Sequence, residues 1–108
     1  MSGTGLTYDL LSMNVHIVLS GDYPVMRSRH GDRFRPGAVT VSRTAADVVV
    51  SVHGYRLTAA NESTTRREHW EEALRVGDEM PGSWPKWLQK MLKASGWLGS
   101  FEPWPVKS

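Results

Sequence analysis

The stretch Ala38–Ala59, AVTVSRTAADVVVSVHGYRLTA, decides what kind of fold this chain can adopt. Val39 and Val41 alternate with Thr40 and Ser42, and Val48, Val50 and Val52 alternate with Val49, Ser51 and His53. A period of two puts every second side chain on the same face of a strand, so each run carries an apolar face and a more polar one. Arg43–Asp47 supplies a turn between the runs, and the whole reads as a β-hairpin. Valine dominates because β-branched side chains pack well on a pleated surface. Gly54 interrupts the second run, which marks a bulge or bend, and Tyr55 and Leu57 then resume the alternation.

Working toward the N-terminus, Met13, Val15, Ile17 and Leu19 alternate with Asn14, His16 and Val18, and predict another strand. Leu6, Tyr8 and Leu10 repeat the pattern, as an earlier strand or an extension of the same ribbon. Between this strand and the hairpin lies GDYPVMRSRHGDRFRPG, residues 21–37, with three glycines, two prolines and four arginines. It reads as one basic loop, longer than most connections in compact domains, and therefore as a candidate site.

Beyond Asn61 the residue types favour helix. Thr65 with Glu68 three residues on fits a capping box, Trp70, Ala73 and Leu74 share one helical face, and Gly77 suits a C-cap. These signals predict a helix over about 64–76. A second helix, over about 84–95, starts near Ser83 and Pro85. Trp84, Trp87, Leu88, Met91, Leu92 and Ser95 form its apolar stripe, with Lys86, Gln89, Lys90 and Lys93 on the other side. Gly96 ends it, and residues 96–108 form an irregular aromatic tail. Strands followed by helices predict an α+β fold. The expected architecture is one domain over 1–108: a small antiparallel sheet of three to four strands within 6–60, covered by two C-terminal helices.

Composition narrows the function classes. The chain has 108 residues, 40% hydrophobic and 22% charged, as in ordinary soluble domains. It has no cysteine, which excludes disulfides, thiolate metal sites and a cysteine nucleophile. No apolar run approaches the ~18 residues of a membrane span, and the first basic residue is Arg27, so the N-terminal stretch makes a poor signal peptide. A cytoplasmic protein without a membrane partner is the expectation. Charge is segregated: residues 27–43 hold five arginines against Asp32, residues 62–80 hold six acids against three arginines, and residues 81–108 hold four lysines against Glu102. The basic and acidic segments are expected to seek each other or a partner.

No motif fixes a chemistry, so no catalytic, metal-binding or cofactor-binding residues are assigned and no cofactor is expected. The leading expectation is a small non-enzymatic module acting by protein–protein contact, with another protein or with a second copy of itself. Its candidate contacts are Arg27, Arg29, Arg33, Phe34 and Arg35 in the loop and Trp97, Phe101 and Trp104 in the tail, since aromatic and arginine side chains are enriched at binding hot spots. Small size, and nine arginines against four lysines, fit an accessory, inhibitor or assembly protein of a phage or mobile element from a GC-rich bacterium. A nucleic-acid-binding protein is the alternative, with Arg27, Arg29, Arg33 and Arg35 joined by Lys86, Lys90 and Lys93 on phosphates and Phe34 stacking on a base. A third reading is a metal-dependent or acid–base hydrolase built on His30, Asp32, His53 or His69. His69 with Glu72 reads as an i,i+3 helix pair, and His16 and His53 are placed to meet across the sheet.

Overall fold

The computed structural model describes residues 12–44, 46–75 and 77–95. They form five antiparallel strands and one helix: β1 Ser12–Val18, β2 Met26–Arg27, β3 Arg33–Thr44, β4 Asp47–Leu57, β5 Ser63–Arg75 and α1 Lys86–Ser95. The strand order is β1-β3-β4-β5, and β2 pairs with β3 on the edge that also carries β1. This mixture of antiparallel sheet and helix is an α+β fold. Among the described residues no helix is long and apolar enough to cross a membrane.

The hairpin of Ala38–Ala59 forms as its alternation dictates, with Val41 opposite Val50 and Val39 opposite Val52. At Gly37 the register slips, because Pro36 pairs with Gly54 while Ala38 pairs with His53. Leu19 donates its backbone N–H to the carbonyl of Gly37 at 3.0 Å, which ties the end of β1 to this bulge. Gly54 is glycine for a steric reason. A Cβ there would lie 2.9 Å from the Phe34 ring and would collide with the Arg35 carbonyl oxygen.

Residues 21–37 are not one loop. Met26 pairs with Phe34 and Arg27 with Arg33, so β2 and the start of β3 form a short hairpin around Ser28–Asp32. Its turn closes with Ser28 N–H on Asp32 O (2.8 Å), Gly31 N–H on Ser28 O (2.9 Å) and Asp32 N–H on Ser28 Oγ (3.2 Å). The β4–β5 turn repeats this design over Thr58–Glu62. Thr58 N–H meets Glu62 O (2.9 Å), Asn61 N–H meets Thr58 O (2.9 Å) and Glu62 N–H meets Thr58 Oγ1 (3.2 Å). The fourth residue of each turn, Gly31 or Asn61, takes a positive φ, the conformation that glycine and asparagine tolerate best. Arg33 joins the two turns, donating from Nη1 to Asn61 Oδ1 (2.6 Å) and from Nη2 to Thr58 O (2.9 Å).

The helix expected over 64–76 is instead the edge strand β5. Trp70 lies opposite Val52, Glu72 opposite Val50 and Leu74 opposite Val48. Trp70 and Leu74 are four residues apart, a spacing that fits one face of a helix and one face of a strand equally well. The even positions of β5 therefore join the apolar face of β4, while Thr65, Glu68 and Gly77 do no helix capping. Gly77 sits in the turn after β5 with φ near +100°.

The core holds Met26, Phe34, Val39, Val41, Val48, Val50, Val52, Met80, Trp84, Leu88 and Leu92, with Val15, Ile17, Trp70 and Leu74 packed against it. Helix α1 follows its predicted stripe: Trp84, Leu88 and Leu92 are buried, Trp87 and Met91 half-buried, and Lys86, Lys90 and Lys93 exposed. Trp84 meets Trp70 edge-on at 5.4 Å between ring centroids and donates Nε1–H to Glu72 at 3.3 Å. Trp87 packs on Tyr23 at 4.8 Å. The strand expected at Leu6–Leu10 and the aromatic tail lie outside the described residues.

Candidate functional site on the exposed face of the sheet

Because directly paired residues of antiparallel strands share a face, the register also defines the side that the valine core leaves exposed. Three rows cross it. His16, Thr40, Ser51 and Glu71 form one, Val18, Ala38, His53 and His69 the next, and Arg35, Tyr55 and Arg67 the third. Together with Gly37, Gly54 and Glu68, most of these residues line an open groove of about 660 Å³. The bulge at Gly37 and the bare Cα of Gly54 shape the groove where the second and third rows meet.

The rings of His53 and His69 stack across the β4–β5 ladder, 5.8 Å apart and 24° from parallel. His16 reaches across β1 and β3, its Nδ1 3.1 Å from Thr40 Oγ1. Burial is the main cause that lowers the His53 pKa below its ordinary value, followed by the nearby His69 and His16, with Arg67 adding to them and Glu71 opposing. In the third row the Arg67 guanidinium lies 5.9 Å from the centre of the Tyr55 ring. Arg35 donates from Nη1 to the Tyr23 carbonyl at 3.1 Å. That acceptor is neutral, so the bond orients the guanidinium without cancelling its charge.

Among the described residues the ion pairs centre on Arg56, which meets Asp32 at 2.6 Å and Glu68 at 2.8 Å. The tip of the β2–β3 hairpin approaches β5, and Ser28, Arg29, His30, Glu68, His69 and Glu71 line a small cavity of about 150 Å³ there. Yet among the described residues no ion pair joins Arg27, Arg29, Arg33 or Arg35 to the acidic segment 62–80. Arg27 donates to Gly31 O at 2.8 Å, and Arg33 is held by the Thr58–Asn61 turn.

The residues singled out from sequence therefore divide. Arg35 lies in the groove, Arg27 and Arg29 are exposed beside the hairpin tip, and Arg33 is structural. Phe34 is fully buried in the core and cannot stack on a ligand. Lys86, Lys90 and Lys93 are exposed on the helix whose other side enters the core with the valines, and none of them lines the groove that holds Arg35. Trp97, Phe101 and Trp104 lie outside the described residues. Of the histidines and Asp32 weighed for a hydrolase, His30 lines the small cavity with His69, whereas Asp32 is engaged by Arg56. His69 and Glu72 do not pair either, since on a strand they point to opposite faces, His69 onto His53 and Glu72 onto Trp84. Among the described residues no three His, Asp or Glu side chains converge as a metal site. Ser51 donates to Glu71 at 2.9 Å and to no histidine, which is not the geometry of an activated nucleophile.

Sequence reasoning missed Tyr55 and Arg67 as partners of Arg35, because reading 64–76 as a helix removed one side of the groove. The signal was present in the shared turn pattern, Ser28-x-x-Gly31-Asp32 and Thr58-x-x-Asn61-Glu62, each of which returns the chain as a strand. Compared with known proteins, the chain matches no family model, no curated protein and no solved structure.

Proposed function

We propose that this protein is a non-enzymatic binding module that takes single-stranded nucleic acid across the exposed face of its sheet. One observation carries the proposal: Arg35, Tyr55 and Arg67 lie in a row beside the stacked His53 and His69, and no carboxylate among the described residues pairs with either arginine. Surfaces that bind single strands combine cations that track the phosphates with flat rings that stack on bases. Tyr55 and the imidazoles supply the rings, and Arg35 and Arg67 the cations.

Fluorescence anisotropy with a labelled oligothymidine at ~50 mM salt tests the proposal. Binding should weaken with salt with a log–log slope of about −1.4, the release expected from two phosphate contacts on a single strand. Tyr55→Ala should weaken it at least about fivefold, since one base–aromatic stack is worth roughly 1–3 kcal/mol, and the pair Arg35→Ala, Arg67→Ala should weaken it and flatten the salt slope. Changing Lys86, Lys90 and Lys93 together to Gln should alter affinity less than either change in the groove, because none of the three lines it. Absence of binding at this salt would sink the proposal.

A protein partner is the second reading, favoured by Val18, which is 75% exposed in the same row as His53. A partner seated on this face, or a second copy of the chain, would be seen as a higher mass in light scattering that Val18→Asp reverses.

A further inference from the structure

We infer that nucleic-acid binding on this face is gated by protons: His53, with His69 stacked on it and His16 one row away, turns the groove more cationic in mild acid and tightens its hold on phosphates. This gating rests on the sheet face being a nucleic-acid surface. Three imidazoles share one face and sit on three different strands, β1, β4 and β5, so their grouping comes from the register. Histidine is the side chain whose ordinary pKa lies between pH 5 and 8, so a cluster of three changes the groove's charge more than either fixed arginine can.

The surroundings decide the sign. From β3, Arg35 and the neutral Thr40 face the cluster; from β4, Tyr55 and Ser51; from β5, Arg67, Glu68 and Glu71. His69 also faces the hairpin tip, with Arg29 and His30. Of the two carboxylates, Glu68 is held by Arg56, while Glu71 accepts only from the neutral Ser51 and keeps its charge, which opposes the cations at His53. At His53 a proton added to the free protein meets the cost of burial first, and then repulsion from His69, His16 and Arg67. A bound phosphate removes that repulsion. Binding must then draw protons onto the cluster, and by reciprocity protons must strengthen binding.

The test measures oligothymidine affinity by anisotropy from pH 8.0 to 5.5 at constant ionic strength. Thymine has no group that titrates in this range, so any pH effect belongs to the protein. The expected result is at least about tenfold tighter binding at pH 5.5, with log Kd changing by about one per pH unit for each proton taken up. In the pair His53→Gln, His69→Gln affinity should fall at every pH, since two stacking rings are lost, and the remaining pH dependence should flatten. Histidine ring signals in proton NMR give an independent readout, and their midpoints should move to higher pH when the oligonucleotide is added. Binding that is present but unchanged with pH, or midpoints that do not move, overturns the gating and leaves the nucleic-acid surface standing. No binding at any pH overturns that surface and the gating with it.

Discussion

At the scale of single residues, Gly54 carries more of the fold than its size suggests. It sits opposite Pro36 beside the Gly37 bulge, where β3 passes so close that any Cβ would strike the Arg35 carbonyl and the Phe34 ring. Neither neighbour can yield cheaply, since one is backbone and the other is fully buried. Gly54→Ala should therefore cost about 1–3 kcal/mol, the range of overpacked interiors. Each 1 kcal/mol lowers Tm by about 4–8 °C in a domain of this size. The same substitution should disturb Arg35 and Tyr55, which flank the collision, so oligonucleotide binding is expected to fall with Tm. A thermal melt beside an anisotropy titration checks both. Gly54 was legible in the sequence as a break in an alternating run. That its bare Cα floors a groove was not, because the partner strand is 18 residues away in the chain at Pro36.

At the scale of elements, β4, α1 and the part of β3 beyond Gly37 were legible, while β2, the start of β3 and β5 were not, and for β5 the reason can be stated residue by residue. In Ala38–Ala59 only period two fits the valines, whereas in α1 the run Trp84, Trp87, Leu88, Met91, Leu92 fits only the helical period. In β5 the decisive apolar pair, Trp70 and Leu74, satisfies both periods, and the residues around it, Glu, Ala and Arg, are good helix formers. What overrides propensity is the open edge of β4: ten residues of β5 pair there, and Trp70 and Leu74 join the valine face. Helix α1 depends on the same core from the other side. Leu88→Ala should destabilise by about 2–5 kcal/mol, the cost of a large-to-small change at a fully buried position. Trp87→Phe should cost much less, because its Nε1–H is buried with no acceptor among the described residues and its loss removes that polar group. Urea denaturation of the two variants should rank them in that order.

At the scale of the whole molecule, the sheet separates two tasks by side chain parity. One face spends its valines on the core, and the other gathers His16, Arg35, His53, Tyr55, Arg67 and His69. The separation has a cost that pH reveals. The His53 pKa is lowered in the folded chain, first by burial and then by His69 and His16, so the folded state binds this proton less readily than the unfolded state. Stability from this source is complete above the ordinary histidine pKa of about 6.5 and is lost as pH falls through the lower folded value. Tm should therefore be lower at pH 5.5 than at pH 7.5, His53→Gln should narrow the difference, and added oligonucleotide should narrow it too. Arg33 has a different kind of consequence. By holding the Thr58–Asn61 turn from the neighbouring hairpin, it couples two surface loops that lie 25 to 28 residues apart in sequence. Each turn also closes on its own backbone bonds, so Arg33→Ala should loosen both tips together without melting either, seen as faster protease cleavage at both.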